Sequence, residues 1–154
     1  MGSDHILLIV YHSQSGATEQ LASALEQGAL KIPSVEVVRL RAASVTADHV
    51  RQCRVLVVCS PEYFGYMAGA IKDLFDRTYE VVREHTTGKA YAAVICAGND
   101  GSGALTSIER IIAGYRMKKV QEPIVHRGPV TSVILDRCRE LGETLAAGID
   151  LGIY

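Results

Sequence analysis

Neither sign of charge dominates this 154-residue sequence: 16 Lys and Arg stand against 17 Asp and Glu, a net charge of −1. So balanced a chain has no basic field to gather nucleic-acid phosphates or anionic lipid, so no nucleic-acid or membrane partner is expected. No apolar run approaches the roughly 18 residues of a membrane-spanning helix. The longest, Ile6 to Tyr11 and Val55 to Cys59, have the length of buried strands. Met1 to Asp4 lacks a basic start leading into an apolar stretch, which predicts no secretory leader and a cytoplasmic address. The four cysteines, Cys53, Cys59, Cys96 and Cys138, form no C-x-x-C pair and fall mostly in apolar periodic segments, as reduced core thiols do. The five histidines show no metal-ligand spacing. A G-K-[ST] phosphate loop, a G-x-G-x-x-G after the first strand and a G-x-S-x-G elbow are all missing, which argues against nucleoside triphosphatases, dinucleotide folds and hydrolases of those kinds.

What is present is a regular alternation. Apolar strand-like runs at Ile6 to Tyr11, Val35 to Leu40, Val55 to Cys59 and Ala90 to Ala97 are separated by amphipathic segments. Helices are predicted over Ala17 to Leu30, Thr46 to Gln52, Gly69 to Val82, Ala104 to Tyr115 and Val133 to Ala147. A fifth strand is expected within Gln121 to Val130, weakened by Pro123 and Pro129. Strands apolar along their whole length, alternating with helices, predict a single α/β domain over residues 1–154, with a doubly wound five-stranded parallel sheet. In such sheets ligands sit beyond the carboxyl ends of the strands, so the segments after the first, third and fourth strands are the candidate sites.

The first of these reads Ser13-Gln14-Ser15-Gly16-Ala17-Thr18 and leads straight into a helix. Hydroxyls and free amides at a helix start make a cradle for a terminal phosphate; an ordinary helix cap is the alternative. The second, Ser60 to Ala70, carries Pro61, Glu62, Tyr63, Phe64, Gly65, Tyr66 and Met67, a density of aromatic residues suited to walling a planar ligand or to packing in an interface. In the third, Gly98-Asn99-Asp100-Gly101-Ser102-Gly103, glycines permit close backbone approach to a ligand edge, or simply a flexible connection.

Together the three loops resemble those of the flavodoxin-like superfamily, and within it the FMN-binding NAD(P)H-dependent oxidoreductases, including the WrbA-type quinone reductases. The first is similar to the family's FMN-phosphate loop. The second resembles its P-x-x-F-G-x-M segment beside the isoalloxazine, and the third stands where its glycine-rich flavin loop lies. The resemblance implies a strand order of 2-1-3-4-5 and an FMN cofactor. It also implies reduction by NAD(P)H, a small-molecule acceptor such as a quinone, and a homodimer or homotetramer. It would place Ser13, Ser15, Gly16, Ala17 and Thr18 at the phosphate, Pro61 to Met67 at the ring, and Gly98, Asn99, Asp100, Gly101 and Gly103 at its polar edge. Glu62 and Tyr66 stand where members often carry Thr and Asn, and the chain is shorter than WrbA-type proteins. A flavodoxin-type carrier is the alternative, though such carriers are typically acidic; a non-catalytic flavin-binding module is a third reading.

Overall fold

Strands that are apolar on both faces need cover on both, and the chain supplies it from two sides. The computed structural model describes residues 5–154; Met1–Asp4, on which the expected absence of a leader rests, lie outside the described residues. β1 (Ile6–Tyr11) runs parallel between β2 (Glu36–Arg41) and β3 (Val55–Tyr63), with Leu7 opposite both Val37 and Val55. A two-residue strand, β4 (Tyr66–Met67), folds back on the end of β3 as an antiparallel hairpin. β5 (Ala90–Ala97) pairs with β3 on one side. On its other side lie two short parallel strands, β6 (Lys118–Lys119) near its start and β7 (Ile124–Arg127) near its end. The order β2-β1-β3-β5-β6, with β7 also on β5, is the flavodoxin-like 2-1-3-4-5 arrangement with the fifth strand delivered in two pieces.

The fifth strand expected within Gln121 to Val130 is there as β7, and the unexpected piece is β6. Only Ile124–Arg127 of that span joins the ladder, and Pro123 immediately before it has no N–H to donate. β3 runs four residues beyond the expected Cys59, because the hairpin pairs Glu62 with Met67 and Tyr63 with Tyr66.

Alternate strand residues feed two cores. Leu7, Ile9, Val55, Val57, Ala92 and Val94 pack under α1 (Ala17–Ala29) and α5 (Ser132–Asp150). Leu8, Val10, Leu56, Val58 and Ile95 pack under α2 (Ala47–Gln52), α3 (Gly69–Val82) and α4 (Ser102–Gly114). α1 and α5 meet backbone to backbone: a Cβ on Gly28 would lie 1.8 Å from the Arg139 carbonyl oxygen, and one on Gly142 would lie 2.0 Å from that of Leu25. On the other side, buried Tyr115 donates its hydroxyl to the Phe75 carbonyl at 2.6 Å and shares a hydrogen bond with Thr78 at 2.9 Å. Burial pushes the Tyr115 phenol up to about 12. Among the described residues no helix is long and apolar enough to cross a membrane.

Candidate functional site

The chain leaves β1 at the carboxyl edge of the sheet and turns into α1 through Gly16, whose φ of 98° favours glycine. The Gly16 N–H donates to Ser13 Oγ at 3.0 Å, and the Ser13 carbonyl accepts from Arg41 Nη1 at 3.2 Å. No side chain caps α1, so the N–H groups of Ala17, Thr18 and Glu19 lack intrahelical acceptors. Helix starts elsewhere vary: Thr46 caps α2 and Thr131 caps α5, whereas α3 also lacks a side-chain cap. At α4, Asp100 accepts from the Ser102 N–H at 3.0 Å and Glu62 from the Ala104 N–H at 3.1 Å. The positive end of α1 is thus left open beside the hydroxyls of Ser13, Ser15 and Thr18, a donor set that suits a phosphate dianion.

This helix start opens into a cavity of about 290 Å³ built from all three sequence loops. Ser13, Gln14, Ser15, Ala17 and Thr18 line one wall, Pro61, Glu62 and Tyr63 a second, and Cys96, Ala97, Gly98 and Gly128 the remainder. Tyr63 meets His12 edge-on, with ring centroids 6.0 Å apart. Burial, with Arg41 as a lesser cause, lowers the His12 pKa, so the ring is neutral at pH 7. A larger groove of about 540 Å³ runs along α1 between Arg39 and Arg139. It follows the helix flank, and both arginines are paired, with Glu26 at 3.0 Å and Asp136 at 2.8 Å.

The other residues singled out in the sequence fall elsewhere. Gly16 makes the turn into α1 and lines that flanking groove. Phe64 and Gly65 form the hairpin tip, both at positive φ (53° and 67°), and the Phe64 ring stands fully in solvent. Tyr66 is 42% exposed and lines a separate cavity, whereas Met67 is buried in the core beneath α3 and α4. Asn99 and Asp100 are exposed; hydrogen bonds from Ser102 hold the Asp100 carboxyl below its usual range. Gly101 is buried, and a Cβ there would lie 2.6 Å from Val125 Cγ1. Gly103 packs so tightly on the hairpin that a Cβ would lie 1.9 Å from the Gly65 carbonyl oxygen. Glu62 lines the cavity, yet its carboxylate is engaged by the first turn of α4.

Cys96, Ala97, Gly128 and His12 were missed by the sequence reading. For Cys96 the only available signal was its place at the end of a strand. Cys53, Cys59 and Cys138 are buried as expected, but Cys96 is partly exposed. Burial raises its thiol pKa, with the neighbouring Thr18 hydroxyl acting the other way. In the folded protein, a small maleimide at mildly alkaline pH is expected to modify one thiol per chain, Cys96, and FMN to slow that reaction. Intact-mass spectrometry of the protein and of Cys96→Ser checks both statements, and modification of several thiols at equal rates would contradict the burial pattern.

The NADPH-dependent FMN reductase family model matches residues 41–129, which include the second and third loops. A type A flavoprotein of Rhodobacter capsulatus is 28% identical over 149 residues, 94% of this chain. The chain spans 33% of that relative's length. Among solved structures, an archaeal flavodoxin superposes with a TM-score of 0.81 at 24% identity, over 94% of this chain and 99% of its own. A flavodoxin, WrbA-like protein from Agrobacterium tumefaciens superposes with a TM-score of 0.80 at 14% identity, over 96% of this chain and 98% of its own.

Proposed function

The chain belongs to the NADPH-dependent FMN reductase family, as a flavodoxin-like domain that binds FMN, and from that premise we propose an oxidoreductase that uses FMN to carry reducing equivalents from NAD(P)H to a small acceptor such as a quinone. The observation that carries this reading is the uncapped start of α1 opening into a cavity bounded by the three loops. FMN, when bound, supplies the redox chemistry; the protein's part is to hold, orient and shield it. In this reading Ser13, Ser15, Thr18 and the Ala17 amide hold the phosphate. Pro61 and Tyr63 flank the ring, and Gly98 brings its backbone close to the ring edge. Glu62, engaged by the Ala104 amide, holds the hairpin against α4 and so positions Tyr63. The reading includes a homo-oligomer, dimer or tetramer; its support is Phe64, a large apolar side chain fully exposed at the tip of the hairpin next to Tyr63.

A flavodoxin-type electron carrier is the second reading, favoured by the likeness to an archaeal flavodoxin over nearly its whole length. Against it stands the net charge of −1, which provides little field for steering toward a basic protein partner. Anaerobic mixing of the FMN-loaded protein with NADPH, and separately with NADH, separates the two. Rapid bleaching of the visible flavin absorbance is expected for the oxidoreductase. Retained but unbleached FMN would favour the carrier, and failure to take up FMN would overturn both.

A further inference from the structure

The loop from Ser13 to Thr18 offers a phosphate hydroxyls and amides but no cation of its own. Glu19, in the first turn of α1, even brings a carboxylate to the same helix end. An acidic side chain there favours the helix, yet it opposes a phosphate dianion. The fold turns it aside: Glu19 lines the flanking groove and not the three-loop cavity. Its Oε2 accepts from the Tyr11 hydroxyl at 3.0 Å, and its Oε1 lies 3.5 Å from Arg41 Nη2.

Arg41 reaches this point from the last residue of β2, where it is the register partner of Tyr11 at the end of β1. Its guanidinium lies over the Tyr11 ring, 5.2 Å from the centroid, and Nη1 donates to the Ser13 carbonyl at 3.2 Å. Arg39, two residues earlier on the same face of the strand, lies over the same ring at 5.5 Å but is spent on Glu26 at 3.0 Å. Among the described residues Arg41 is the one cation hydrogen-bonded to the Ser13–Thr18 loop. Ser13, held through its carbonyl, accepts the Gly16 N–H on Oγ at 3.0 Å, which leaves the hydroxyl proton free to be donated into the cavity.

We propose that Arg41 is a positioning residue of the phosphate site, which strengthens the preference for FMN over riboflavin. It neutralises the Glu19 carboxylate, fixes the Ser13 peptide that shapes the cradle, and adds positive charge behind a loop that has none. The larger part of its effect comes from Glu19, whose charge would otherwise stand unopposed at the helix end that receives the phosphate. The role rests on the phosphate lying at the start of α1 and is independent of which donor reduces the flavin.

Titration of the cofactor-free full chain with FMN and with riboflavin, read by quenching of flavin fluorescence, tests the role. Arg41→Gln is expected to weaken FMN about tenfold and riboflavin by no more than about twofold. Adding Glu19→Gln to Arg41→Gln is expected to restore most of the lost FMN affinity, because it removes the charge that Arg41 offset. Arg39→Gln, which uncovers the same Tyr11 ring, is the control and should leave FMN affinity unchanged. Equal losses for both flavins in Arg41→Gln, or a loss that Glu19→Gln does not relieve, would reduce Arg41 to a structural prop and overturn the proposal. An Arg41→Gln protein that binds FMN as the parent does would overturn it as well. A parent that binds riboflavin as tightly as FMN would overturn the phosphate cradle itself, and the role of Arg41 with it.

Discussion

Ser15→Asp is expected to lower FMN affinity roughly a hundredfold while leaving riboflavin affinity nearly unchanged. Ser15 is exposed and lines the cavity at the uncapped start of α1. A carboxylate about 5 Å from a phosphate costs on the order of 3 kcal/mol per unit of phosphate charge at an effective dielectric of about 20. Each 1.4 kcal/mol, roughly, is a factor of ten, so a hundredfold loss is a conservative figure. Folding should not suffer, because an acidic side chain near a helix start is itself favourable by about 0.3–1 kcal/mol. Titration by quenching of flavin fluorescence, run in parallel with FMN and riboflavin, checks the claim. An equal loss for both ligands would mean that the substitution distorts the loop, and undiminished FMN binding would place the phosphate elsewhere.

Gly28→Ala is expected to destabilise the fold by roughly 1–3 kcal/mol, the usual cost of forcing extra volume into a packed contact. Helix propensity alone predicts the opposite, a gain of about 1 kcal/mol on replacing glycine inside a helix. The structure decides between them: the new Cβ would lie 1.8 Å from the Arg139 carbonyl oxygen, and a backbone atom cannot swing aside as a side chain can. Gly114→Ala is the matched control. A Cβ there meets nothing within 4 Å, so no loss of stability is expected. Urea unfolding of the two variants beside the parent reads the difference, and a stabilised Gly28→Ala would show that α1 and α5 do not touch at this point.

The same contrast between local and distant effects accounts for which elements could be read in advance. The helix over Gly69–Val82 and the strand over Ala90–Ala97 have the bounds their periodicity predicts. Thr46 caps α2 where the short helix was expected to begin. The hairpin at Tyr63 to Met67 is not legible in the sequence, because its paired segments are only two residues long and its tip places Phe64 at a positive φ that side chains of this kind seldom adopt. The second half of the edge strand was anticipated, but β6 was not. Lys118 and Lys119 carry no apolar alternation, and their N–H and carbonyl groups are ordered by pairing with β5.

By itself the sequence determined the alternation of strands and helices, the two-sided core and the three loops that converge at the carboxyl edge of the sheet. Those properties follow from hydrophobic period and helix-start chemistry, which act over a few neighbouring residues. Only the tertiary structure decided which side chains face the site. Glu62 reaches an amide 42 residues away, Met67 N–H a hydroxyl 40 residues away, and Cys96 reaches the cavity because β5 lies beside β3. Membership of a cavity wall depends on contacts between segments distant in the chain, and these exist only once the strands have paired and the helices have closed over them.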